Sequence, residues 1–125
     1  MKAILYTDGG TAGGNPGQGY GSFAIYVDAQ PPYYGRGEFG RATSNEAEYR
    51  ALLLGLDEVA KLGTDVDLEI RLDSALLIGQ LSKGWRVKAD NLRPLWVEAK
   101  QKLGWFHSCK LVKVGRDEVV KVLGH

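Results

Sequence analysis

Asp8, Glu48 and Asp73 are the residues whose types and positions most invite chemistry. Asp8 follows the apolar run 3–7 and precedes Gly9-Gly10, while Asp73 follows the alternating run 66–72 and precedes Ser74. A carboxylate at the end of a strand projects into the crevice beyond the sheet, where α/β proteins keep their ligands. Glu48 falls in the first turns of a long helical pattern, on or near the face that packs on the sheet, where a lone charge is costly to bury. Three carboxylates drawn to one point repel unless a cation joins them, and hard oxygen donors with room for water suit Mg²⁺ or Mn²⁺. A pair of such ions about 4 Å apart activates a water and stabilises the leaving oxygen of a phosphodiester. Each acid also has a plainer reading: Asp8 as a turn former, Asp73 as a cap beside Ser74, Glu48 as a capping-box acid three residues from Asn45. Taken jointly, their placement favours a metal site.

The elements that must carry these acids follow from periodicity. Residues 3–7 and 20–27 are rich in β-formers and flank the cluster Gly9 to Gly17, so two strands joined by a glycine-rich loop are expected. After Pro31-Pro32, residues 33–39 form a third strand of an antiparallel meander. From Asn45 the pattern changes: Ala47, Leu52, Leu53, Leu56, Val59, Ala60 and Leu62 recur at helical spacing, with Ser44 as the cap and Gly63 as the stop. Residues 66–72 alternate apolar and charged side chains, as in a half-buried strand, and a helix starts at Ser74. Residues 92–103 are helical with Pro94 in the first turn, 110–114 form a last strand, and 116–123 a last helix or an extension of that strand. This order describes an α/β domain with a mixed sheet and helices on its faces.

The bulk composition narrows the class without choosing a function. With 125 residues, 44% apolar and 25% charged, the chain is read as one folded domain spanning 1–125. Sixteen basic against fifteen acidic residues give +1, so charge alone does not call for a polyanionic partner. The lone Cys109 excludes an intrachain disulfide and a cysteine-rich zinc site, and is read as a small buried hydrophobe. The residues before Asp8 are too few for a signal-peptide core, and no apolar run approaches bilayer length. A cytoplasmic protein without membrane association is expected.

Tyr6-Thr7-Asp8-Gly9-Gly10, then Gly14-Asn15-Pro16-Gly17, then Thr43-Ser44-Asn45-Glu46-Ala47-Glu48-Tyr49, then Leu72-Asp73-Ser74, resemble the type 1 ribonuclease H family in order and spacing. The Thr-x-Asn-x-x-Glu motif opening a long helix between the two Asp motifs is the specific part, and the likeness covers nearly the whole chain. The resemblance implies a ribonuclease H-like fold: a five-stranded mixed sheet, three antiparallel strands then two parallel, with helices on both faces. It implies endonucleolytic cleavage of the RNA strand of an RNA/DNA hybrid, with two Mg²⁺ ions, Mn²⁺ as a substitute, and 5′-phosphate and 3′-hydroxyl products. Asp8, Glu48 and Asp73 take the places of metal ligands and catalytic acids, and Asn15, Thr43, Asn45 and the Gly10 backbone those of hybrid contacts. The segment Gly79 to Lys88 is similar to that of members lacking a long basic handle; Lys83, Arg86 and Lys88 around Trp85 could follow the DNA strand, or Trp85 could tuck into the core.

Family members usually carry a fourth acid in the helix after the last strand. One alignment, led by Val114-Gly115-Arg116-Asp117-Glu118, puts Leu123 there; another sets Lys121 to His125 against a segment whose His assists product release. On either, His125 could supply a nitrogen ligand or a proton shuttle, and it is taken as a fourth catalytic candidate. Ala75 stands where several relatives place a hybrid-contacting Gln, and His107 reads as structural. The leading expectation is an active ribonuclease working as a monomer. The alternatives are an impaired module of the same fold that binds hybrid or double-stranded RNA, and a domain with a small-ligand or protein partner.

Overall fold

The computed structural model describes residues 1–124. In chain order its elements are β1 (Lys2–Ala12), β2 (Gly17–Val27), β3 (Tyr33–Ala42), α1 (Ser44–Ala60), β4 (Asp67–Leu72), α2 (Ala75–Ser82), α3 (Arg93–Leu103), β5 (Ser108–Lys113) and α4 (Arg116–Leu123). The strands form one sheet in the order β3-β2-β1-β4-β5, antiparallel from β3 to β1 and parallel from β1 to β5. This is the five-stranded mixed sheet expected.

Alternation along β1 sorts the chemistry onto two faces. Leu5 pairs with Ile25 and Thr7 with Phe23, and all four are buried on the side covered by α1. Leu68, Ile70 and Leu72 of β4 join the same core. Tyr6 and Asp8 point the other way, where α4 lies: the Tyr6 hydroxyl donates to Glu118 (2.5 Å) and Asp8 meets Arg116. Helices therefore flank both faces. Beneath α1 the buried Gln80 accepts from the Tyr49 hydroxyl (2.6 Å), and its carbonyl oxygen accepts from the Trp96 indole (3.0 Å), tying α1, α2 and α3 together.

Several element ends differ from the expectation. β1 does not stop at Thr7 but runs through the glycines to Ala12, because β2 pairs with it as far as Ala12–Gln18. β5 starts earlier, at Ser108, and 116–123 is a helix. Helix α1 is capped by Thr43, not Ser44: Thr43 Oγ1 accepts from the Glu46 N–H (3.1 Å) while Glu46 Oε1 accepts from the Thr43 N–H (2.8 Å). That reciprocal box also means that the capping acid is Glu46, which leaves Glu48 free of that duty. The helix ends at Ala60, before Leu62, which is half exposed. No helix among the described residues is long and apolar enough to cross a membrane.

Candidate metal centre

Asp8, Glu48 and Asp73 come together at the carboxyl edge of the parallel strands. The β1–β4 ladder ends at Tyr6–Arg71, so Asp8 lies two residues beyond the last pair, in strand β1 but past the end of β4. Asp73 leaves β4 at the same edge, just before Ser74, whose hydroxyl caps α2 by accepting from the Leu77 N–H (3.2 Å). The cap is therefore Ser74 and not Asp73, which is left for another use. Strand β1 goes on with β2 alone where β4 turns away, and that divergence opens the crevice.

Glu48 reaches the crevice because α1 passes unusually close to β1. A Cβ on Gly9 would stand 2.2 Å from the Ala47 carbonyl oxygen and 2.7 Å from the Glu48 nitrogen, so only glycine allows this approach. One oxygen from each acid lies within 4.8 Å of the others. Asp8 is buried, and Glu48 and Asp73 are half-buried.

Burial first, then the Asp8 and Asp73 charges and a hydrogen bond with Asp8, push the Glu48 carboxyl up to about 9, against the opposing effect of the Gly9 N–H. Glu48 Oε2 is buried without a hydrogen-bond partner. A cluster that must hold a proton against its own repulsion, with a buried oxygen lacking a donor, fits a divalent cation: hard carboxylate oxygens are the donor set that Mg²⁺ and Mn²⁺ take. Asp8, Glu48 and Asp73 are the residues that would hold it.

Of the remaining candidates, Asn15, Thr43 and Asn45 meet at the start of α1, the helix that carries Glu48. Asn15 Oδ1 accepts from the Ser44 N–H (2.9 Å), tying the loop after β1 to the start of α1. This brings Asn15, Thr43 and exposed Asn45 to one rim, next to the helix turn that carries Glu48. The Asn15 amide nitrogen makes no hydrogen bond among the described residues. Gly10 is a strand residue paired with Tyr20, two positions beyond Asp8, and not part of a loop. Trp85 does not enter the core: it is 48% exposed and its ring lies on Gly79, where a Cβ would meet it at 2.0 Å. With Trp96, Arg86, Arg93 and Lys100 it lines a groove of about 540 Å³. The fourth catalytic candidate, His125, lies outside the described residues. His107 is exposed and ion-paired with Asp67 (2.8 Å), and the half-buried Cys109 thiol is pushed up to about 11 by burial.

Sequence reasoning gave no role to Arg116, whose Nη1 lies 2.9 Å from Asp8 Oδ2 and 3.1 Å from Asp73 Oδ2. Its signal was positional: an Arg in the turn that follows a strand parallel to the one preceding Asp73 emerges at the same edge. Leu123, placed by one alignment at the fourth acid, is a half-buried residue beside Ser22, Tyr34 and Gly35.

Residues 7–122 match the reverse transcriptase-like family. A bifunctional protein of Mycobacterium tuberculosis is 40% identical over 102 residues, which cover 80% of this chain and 28% of that protein. Ribonuclease HI of Halobacterium salinarum is 37% identical over 116 residues, 92% of this chain and 57% of that enzyme. The chain thus spans between about a quarter and just over half of these relatives' lengths. Among solved structures, the ribonuclease H1 of H. salinarum superposes with a TM-score of 0.88 at 32% identity, covering 95% of this chain and 89% of that one. The N-terminal RNase H domain of the M. tuberculosis protein, solved as a fusion with maltose-binding protein, gives 0.88 at 33%, covering 96% and 92%. A further ribonuclease H1, solved with an RNA/DNA hybrid, gives 0.86 at 26%, covering 95% and 89%. With its fold and its sequence in agreement, the chain belongs to the reverse transcriptase-like family, among the type 1 ribonucleases H.

Proposed function

We propose that this chain is a metal-dependent endoribonuclease that hydrolyses the RNA strand of RNA/DNA hybrids, leaving 5′-phosphate and 3′-hydroxyl ends, and that it works as a cytoplasmic monomer. The observation that carries the reading is the convergence of Asp8, Glu48 and Asp73 within 4.8 Å in a chain with named ribonuclease H relatives. Bound there, two Mg²⁺ ions, for which Mn²⁺ can substitute, supply Lewis-acid stabilisation of the charge that develops on the reacting phosphate. Asp8 and Asp73 hold the site from the sheet, and Glu48 closes it from α1. The Leu123 side chain has no oxygen to add to this set, so Asp8, Glu48 and Asp73 would be the side chains that hold the metal.

In this reading the rim and the Trp85 groove take one strand of the duplex each. Asn15, Thr43, Asn45 and the Gly10 backbone face the RNA strand beside the acids, where amide and hydroxyl groups read a 2′-hydroxyl that DNA lacks. Trp85 and the basic residues around its groove follow the DNA strand by stacking and phosphate contact.

A second reading, an impaired module that binds hybrid without cutting it, draws on Leu123 at the fourth position and on the guanidinium among the acids. One experiment separates the two: labelled RNA/DNA hybrid, duplex RNA, duplex DNA and single-stranded RNA are incubated with the protein in Mg²⁺, in Mn²⁺ and in chelator. Cleavage confined to the RNA of the hybrid, and lost in chelator, supports the enzyme. Retention of hybrid without cleavage in either metal supports the binding module.

A further inference from the structure

Arg116 touches two members of the acid cluster with one nitrogen, at 2.9 Å from Asp8 Oδ2 and 3.1 Å from Asp73 Oδ2. Its place is fixed by backbone. Arg116 opens α4 three residues after the end of β5, and the Val114 N–H donates to the Leu72 carbonyl (3.0 Å), so the turn into α4 is held against the residue that precedes Asp73. The side chains it meets are 3% and 19% exposed, whereas its own is 50% exposed. The acids are thus held inside the protein, and the guanidinium reaches them from the open side.

A carboxylate oxygen that accepts a charged hydrogen bond at this distance is a poorer ligand for a second cation, and a guanidinium beside a divalent ion repels it. Removing such a cation from buried acids leaves their charge uncompensated, which destabilises the fold until another cation arrives. Both effects act through the same two oxygens. We propose that Arg116 is a built-in counter-cation of the metal centre, which holds Asp8 and Asp73 together in the metal-free protein and is displaced when a divalent ion takes their oxygens. The affinity for metal is then set by competition with a residue of the chain itself. This rests on the reading of the three acids as a metal site.

The test is calorimetric titration of the whole chain with MnCl₂ and MgCl₂, paired with thermal unfolding in EDTA, for the unaltered protein, Arg116→Gln, Arg116→Lys, Lys121→Gln and Asp73→Asn. Lys121 is exposed on the same helix, so its loss removes equal charge without touching the acids. Arg116→Gln is expected to bind Mn²⁺ about tenfold more tightly while unfolding at a lower temperature in EDTA. Arg116→Lys, which keeps the charge but not the planar fork, is expected to gain about threefold, and it carries the test should the Gln variant fold poorly. Lys121→Gln should stay within about twofold of the unaltered protein. Unchanged or weaker metal binding in both Arg116 variants overturns the proposal, as does an equal gain in Lys121→Gln. Metal binding abolished by Asp73→Asn but indifferent to Arg116 sinks the counter-cation alone, whereas no metal binding by any variant sinks the metal site with it.

Discussion

Gly9 and Ala47 are in direct backbone contact across the β1–α1 interface, so close that a Cβ on Gly9 would stand 2.2 Å from the Ala47 carbonyl oxygen. This contact sets how far Glu48 reaches toward Asp8. Gly9→Ala must push α1 outward, at a cost of about 1–3 kcal/mol for overpacking. The same displacement moves Glu48 away from the other acids, and an error of that size at a reacting centre lowers rate by about 10²-fold. Urea unfolding and hybrid cleavage, measured on the same preparation, check both halves. A stable Gly9→Ala variant with full activity would show that α1 need not sit where it does.

Glu48 gives the metal-free protein a pH dependence of defined sign. Its folded-state value, raised to about 9, lies above the ordinary carboxylate value of 4.5 that the unfolded chain has. Between those values the unfolded state binds fewer protons than the folded one, so stability is greatest below about pH 4.5 and falls as pH rises toward 9. In chelator, Glu48→Gln removes that slope and raises stability at pH 8, because the amide needs no proton to be neutral. In Mg²⁺ the order reverses, since the variant loses a ligand. Thermal unfolding from pH 5 to 9, with and without metal, reads both signs.

Thr43 and Asn15 both hold the start of α1 and both lie on the proposed substrate rim. Thr43→Ala deletes the acceptor for the Glu46 N–H and should cost about 1 kcal/mol, the usual worth of such a cap. Asn15→Ala deletes the acceptor for the Ser44 N–H, a contact at an exposed rim worth about 1 kcal/mol or less. Its larger effect should be a rise in KM for hybrid. Equal KM in Asn15→Ala and the unaltered protein would remove Asn15 from the substrate rim.

Trp85 and Arg86 predict two kinds of loss along the groove. Trp85→Ala should weaken hybrid binding by about 1–3 kcal/mol at any salt concentration, as expected for a lost stacking platform. Arg86→Gln should instead reduce the slope of log affinity against log salt by about 1, the signature of a phosphate contact. Fluorescence anisotropy with labelled hybrid from 50 to 200 mM salt, roughly the range over which phosphate contacts show, distinguishes the two.

Much of this arrangement was legible in the sequence, and what was not has a common cause. The apolar spacing of Leu52, Leu53, Leu56 and Val59 located α1, and the alternation from Val66 to Leu72 put Asp73 at a strand end, because both patterns are local and repeat with the period of their element. The course of β1 through Gly9 and Gly10 was hidden, since glycine signals a turn in isolation and becomes strand only when β2 supplies the hydrogen bonds. Ser44 and Thr43 are equally good caps by type, and the choice fell to Glu46, which answers Thr43 at the right distance. Arg116 lies 108 residues from Asp8, so their contact exists only once five strands are ordered. The family motif brought the three acids together on paper; the cation between two of them needed the fold.

The most direct test of the central claim is hybrid cleavage by the unaltered protein and Asp73→Asn in Mg²⁺, with hybrid binding measured beside it. The account predicts that the substitution lowers cleavage by on the order of 10³-fold or more while hybrid is still bound, and that chelator silences the unaltered protein. Cleavage by Asp73→Asn at the unaltered rate, or cleavage that persists in chelator, would contradict it.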